Sequence, residues 1–137
     1  MQEALFQAYR ETEYRVFTDR HIVLLIDEFN RAFDALLVDR DVTTAAFIMA
    51  WNPYSKQASK TENDLAQARL QSEVVSLGMD YLPGEGVGRD GIWPPEPSLL
   101  VLGISFHRAE KLSRTYRQNA FVWITLGKGP ELVIMRP

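Results

Sequence analysis

Five polar residues, Asn52, Ser55, Asn63, Glu96 and Gln118, stand at the ends of apolar stretches of the chain. Side-chain amides both donate and accept hydrogen bonds, hydroxyls do so on a shorter arm, and a carboxylate accepts or, once protonated, donates. Such a group can grip a small polar or anionic ligand. It can equally act as caps and turn staples for the backbone of a proline-rich connection. Glu96 is its one ionisable member, flanked by Trp93-Pro94-Pro95 and Pro97. Burial there would raise its pKa toward neutrality, as a general acid or base requires, so Glu96 is the candidate catalytic residue. A salt bridge to the basic last helix is the structural alternative. Ser98 joins Asn52, Ser55, Asn63 and Gln118 as a candidate ligand-binding residue.

A second feature is basic. His107, Lys111, Arg114 and Gln118 recur at spacings of four, three and four, and Arg108 and Arg117 lie nearby against the single acid Glu110. One such stripe reads as an anion contact in which Lys111 and Arg114 assist the polar set, or as a solvated helix face.

Other chemistries fit poorly. Gly86-Val87-Gly88-Arg89-Asp90-Gly91 matches G-x-G-x-x-G, but the dinucleotide fingerprint works by leading into a helix N-terminus, and Trp93-Pro94-Pro95 follows instead. With two histidines, His21 and His107, far apart and no cysteine, no metal-ligand spacing is present, and neither metal nor cofactor is expected. A Ser-His-Asp triad can be drawn from Ser55 or Ser98, yet no G-x-S-x-G elbow supports it.

The elements that must position these residues follow from periodicity. Residues 3–9 read as a short helix, and Glu13 to Phe17 and Ile22 to Ile26 as a hairpin around Thr18-Asp19-Arg20. Phe29, Phe33, Leu36 and Leu37 give a helix from about Glu28 to Leu37. Thr43 to Trp51 is apolar almost throughout, as in a central strand covered on both faces, and Pro53 ends it. Ala66, Leu70, Val74 and Leu77 mark a helix begun near Ser59 or Thr61 and closed by Gly78. Met79 to Leu82 reads as a short strand and Pro83 to Pro97 as a long loop. Ser98 to Ile104 is a strand, Ser105 caps a helix to about Tyr116, and Ala120 to Leu126 and Glu131 to Met135 form a second hairpin.

From Thr43 the order is strand, helix, strand, strand, helix, strand. It predicts an α+β fold: a mixed, mostly antiparallel sheet with a ferredoxin-like, split βαβ core, helices on one face, an N-terminal hairpin and an added C-terminal strand. In that fold the strand exit at Asn52 to Ser55, the helix start at Asn63 and the start of the strand at Glu96 to Ser98 should meet at one edge.

Composition agrees with one domain spanning residues 1–137. A chain of 137 residues, 46% hydrophobic and 24% charged, is long enough and apolar enough for one core. The net charge of −3, from 15 basic and 18 acidic residues, offers no global field for a nucleic acid or an anionic membrane, so neither is an expected partner. The longest apolar run, Ala45 to Trp51, is far short of the roughly 20 residues that span a bilayer. The beginning, Met1 to Gln7, lacks the basic start and apolar stretch of a signal peptide and reads as native. Absence of cysteine suits a reducing, cytoplasmic setting.

Several short motifs in order, Ala50-Trp51-Asn52-Pro53-Tyr54-Ser55, Asn63, Trp93 through Glu96-Pro97-Ser98, Gly103 and Gln118-Asn119-Ala120, resemble the family of small bacterial proteins known as domain of unknown function 3293. The similarity runs from about Tyr14 to Met135. It implies a bacterial single-domain protein and supplies no reaction. One position departs: a small residue or glycine is expected before Gln118, and the chain has Arg117.

Three functional readings follow. The first is a binding module for a small polar or anionic ligand, the second a hydrolase or transferase using Glu96 with Asn52 and Asn63 positioning substrate. The third is a protein-partner role, including a homodimer through the edge near Glu131 to Met135.

Overall fold

The computed structural model describes residues 3–19, 21–88 and 94–135. Arg20 of the expected first turn, and Arg89 to Trp93 of the glycine and proline motifs, lie outside the described residues. The elements are α1 (Glu3–Arg10), β1 (Glu13–Phe17), β2 (His21–Leu24), α2 (Arg31–Asp39), β3 (Thr44–Met49), α3 (Lys60–Ser76), β4 (Tyr81–Val87), β5 (Glu96–Leu102), α4 (Phe106–Thr115), β6 (Ala120–Thr125) and β7 (Glu131–Ile134). The fold is α+β.

All seven strands form one sheet in the order β2-β1-β4-β5-β3-β6-β7, and every pairing is antiparallel. β3 lies between β5 and β6, and both of its faces are buried, as its unbroken apolar run requires. Ala46 and Ile48 face one core with Leu70 and Val74 of α3 and Ala109 and Leu112 of α4. Ala45, Phe47 and Met49 face the other, with Phe33 and Leu37 of α2. The expectation that helices cover a single face therefore holds only for α3 and α4. A strand that is apolar on both sides needs cover on both, and α2 supplies the second layer.

Helix starts follow side-chain caps. Asn30, Ser59 and Ser105 each accept from the backbone N–H three residues on, which moves the start of α2 past Phe29 and leaves that ring exposed. Ser59 Oγ accepts from the Glu62 N–H and donates to the Glu62 carboxylate, so Ser59 rather than Thr61 caps α3.

The expected loop from Pro83 is corrected most. β4 continues to Val87, because β1 and β5 pair with it on either side from Gly84 onward. Pro83 lies just outside the stretch bonded to β1, where an edge tolerates proline. Gly84 is required by close approach: the Arg15 carbonyl and the Phe47 ring stand where a Cβ would go.

Candidate functional site

β3 and β4 end, and β1, β5 and β6 begin, at the same end of the sheet. Antiparallel register thereby brings together residues far apart in sequence. One cross-strand row there runs Tyr14, Gly86, Glu96. The glycine in its middle leaves a gap between a ring and a carboxylate, and a Cβ on it would meet only Thr12 and Met49 at ordinary contact distance. That gap opens into a pocket of about 130 Å³, walled by Met49, Trp51, Asn52, Ser55 and Gln118 and covered by Leu5, Ala8 and Tyr9 of α1.

After β3 the chain makes a tight turn at Pro53–Ser55, and Asn52, Tyr54 and Ser55 all take positive φ (48°, 55° and 61°). Left-handed backbone is costly for side chains other than glycine and asparagine, so Tyr54 and Ser55 in succession need external support. The backbone N–H of Asn52 donates to Asn63 Oδ1 (2.8 Å), and Asn63 Nδ2 donates back to Asn52 Oδ1 (3.0 Å), which also accepts from the Ala58 N–H (3.0 Å). The Tyr54 N–H donates to the Arg117 carbonyl (2.6 Å). Asn119 Nδ2 donates to Ser55 Oγ (2.9 Å), which shares a second hydrogen bond with the Tyr9 hydroxyl (2.8 Å).

On its other side Asn52 Nδ2 donates to Glu96 Oε1 (2.7 Å). The second carboxylate oxygen has no partner among the described residues, and none of the ion pairs formed by those residues includes Glu96. Burial raises the Glu96 pKa above the ordinary carboxylate value, and the Asn52 amide offsets part of that rise. Burial likewise pushes the Tyr9 hydroxyl up, with the nearby Glu96 charge adding to it against the hydrogen bonds from Ser55 and Asn119. The Trp51 indole Nε1 is buried and donates to nothing among the described residues.

The structure thus joins Asn52, Asn63 and Glu96 directly, and places Asn52, Ser55, Glu96 and Gln118 in one pocket wall. Asn63 stands behind that wall. Ser98 is buried and bonds the carbonyl of Glu96, outside the lining. Gln118 donates to the carbonyls of Trp51 and Tyr116, both at 3.1 Å. It does not belong to the basic stripe, since α4 ends at Thr115 and Arg117 turns the chain with φ 55°. Lys111 and Arg114 are exposed on α4, outside the lining. His21 and His107 are exposed as well. Among the described residues no group of three His, Asp or Glu could hold a metal ion, and no helix is long and apolar enough to cross a membrane.

Sequence reasoning missed Tyr9, Trp51 and Asn119 as site residues. Trp51 and Asn119 carried a signal, lying beside Asn52 and Gln118 in the quoted motifs. Tyr9 carried none, because its partner Ser55 is 46 positions away.

A family model described as "Protein of unknown function (DUF3293)" matches residues 48–121. The chain belongs to this family. The matched stretch contains the pocket wall from Met49 to Gln118, whereas Tyr9, Tyr14 and the rest of α1 and β1 precede it. No curated protein and no solved structure matches the chain.

Proposed function

We propose that the protein is a binding module whose pocket holds a small polar ligand against Glu96. The observation that carries this reading is the half-engaged carboxylate of a residue that lines the cavity: one oxygen is fixed by Asn52, and the other has no partner among the described residues. Glu96 is half-buried, and a ligand donor reaching that oxygen would add a charge-assisted hydrogen bond to a partly desolvated carboxylate. An anionic ligand held with help from Lys111 and Arg114 finds less support, as both lie outside the lining.

Thermal-shift screening against amines, sugars, amino acids and nucleosides tests the proposal on the native chain and on Gly86→Val. The valine fits the strand backbone and fills the gap between Tyr14 and Glu96. A compound that raises the melting temperature of the native chain alone supports the reading. No shift with any compound, or equal shifts in both proteins, would sink it.

The second reading, a hydrolase or transferase with Glu96 as general acid or base, is favoured by the raised Glu96 pKa and by the 2.7 Å contact with Asn52. Turnover of a screened ester or glycoside that disappears in Glu96→Gln would select it. The sheet order β4-β5-β3-β6, with α3 and α4 on one face, supports a ferredoxin-like, split βαβ core. A bacterial, cytoplasmic setting rests on the family resemblance and on a cysteine-free sequence.

A further inference from the structure

The charge and surface of the pocket narrow the ligand class. Its described lining holds two carboxylates, Glu96 within the wall and Glu11 at the rim, and neither lysine nor arginine. Three aromatic residues, Tyr9, Tyr14 and Trp51, contribute to the same lining. The Tyr14 hydroxyl is engaged with the Tyr9 carbonyl (2.8 Å), and the Tyr9 hydroxyl with Ser55. Tyr14 is fully buried at the base of the lining, so ring surface is left on Tyr9 and Trp51.

A desolvated carboxylate without a countercharge disfavours folding and attracts a cation, and aromatic faces attract the same charge through their quadrupole. An anion in this cavity would meet two like charges. We propose that the pocket takes a small organic cation, an alkylammonium group, with its charge against Glu96 and its carbon chain between Tyr9 and Trp51. The proposal rests on the binding reading above and goes further in assigning the ligand its charge.

Among the described residues the groups near Glu96 are the Asn52 amide at the β3 exit, the Tyr9 hydroxyl from α1 and Tyr14 from β1, and Glu11 from the α1–β1 turn lines the same pocket. Binding of a cation needs Glu96 ionised. Affinity therefore rises with pH through the elevated pKa of Glu96 and levels off above it. A neutral ligand that accepts from protonated Glu96 follows the opposite course.

Three size-matched probes decide the matter: propylammonium, 1-propanol and propionate, titrated into the full native chain, with the Trp51 indole N–H and neighbouring amides followed by NMR. Propylammonium should shift these signals with an affinity at least tenfold above that of propanol, and propionate should not saturate them. Glu96→Gln keeps an oxygen for the Asn52 amide, and its unchanged circular dichroism would establish that it folds. It should weaken propylammonium at least tenfold and leave propanol as it was. Gly86→Val should abolish binding of all three.

Propanol or propionate binding as tightly as propylammonium, or full ammonium affinity in Glu96→Gln, would overturn the cationic assignment. The binding reading survives that result if Gly86→Val still removes the signal. Absence of binding by all three overturns the assignment too, and the broader thermal-shift screen then judges the binding reading by itself.

Discussion

Toward α3, Asn52 meets Asn63 in a closed pair in which the backbone N–H and both amide groups find partners. Toward the pocket it meets Glu96, where one oxygen is held and the other has no partner among the described residues. The two sides share a residue and differ in what is left over. The inner side contributes stability by satisfying buried groups. The outer side holds a partly desolvated carboxylate that Asn52 engages at one oxygen only, the feature on which the proposed binding reading rests. Polar residues at the ends of apolar strands can thus be staples and site at once, divided by which face of one asparagine they touch.

That division can be broken at its inner side first. Asn63→Ala leaves the buried Asn52 N–H without an acceptor and removes one donor from Asn52 Oδ1. A loss of about 2–4 kcal/mol in unfolding free energy is expected, read from the urea midpoint, since an orphaned buried donor costs about 1–3 kcal/mol alone. A loss under about 0.5 kcal/mol, the level of an ordinary surface change, would show that the pair is not structural.

On the outer side, Tyr9→Phe removes one hydrogen bond to Ser55 and should cost only about 1 kcal/mol. A larger loss than that of Asn63→Ala would invert the comparison. Arg117→Gly sharpens it from a third direction. Arg117 occupies the left-handed position of a helix C-terminal motif in which its own N–H and that of Gln118 bond back to Arg114 and Ser113. Glycine carries no Cβ penalty there, so the variant should gain about 1 kcal/mol while the Gln118 contacts persist.

Glu96→Gln gives the smallest effect, one of slope. Because burial raises the Glu96 pKa in the folded state, the folded chain binds the proton more tightly than the unfolded chain. Stability is greatest below the unfolded value, falls as pH climbs from there through the folded value, and is level above it. The glutamine variant lacks this fall. Urea midpoints of the two proteins should coincide near pH 4, about the ordinary Glu value, and diverge in favour of the variant toward pH 7. Divergence of the opposite sign would mean that Glu96 has a stabilising cation partner.

Much of this was legible in the residues. Asn52, Asn63 and Glu96 stood out because each is polar where an apolar run ends, and antiparallel pairing places such ends together. Arg117 stood out because the family resemblance puts a small residue there, and the backbone shows why: its φ is 55°. The course of β4 was not legible. Pro83, Gly84 and Gly86 carry loop signals locally, and only the strands on either side, with the Phe47 ring over Gly84, make a strand of them. The second helical layer was likewise invisible from element order, which says nothing about the face a helix takes.

β1 pairs with β4 and not with the strands that immediately follow its own hairpin, so Val16 finds its neighbour at Gly84. β1 precedes β4 in the chain by some way, and its place in the sheet does not exist until β4 has been made. Closing so long a loop is slow relative to forming local turns, and the topology predicts that α1 and β1 dock after the β3–α3 and β4–β5 units. Pulse-labelled hydrogen exchange during refolding should show amides of β1 protected after those of β3 and β5. On that order the roof of the pocket, α1, is the last part of it to be set in place.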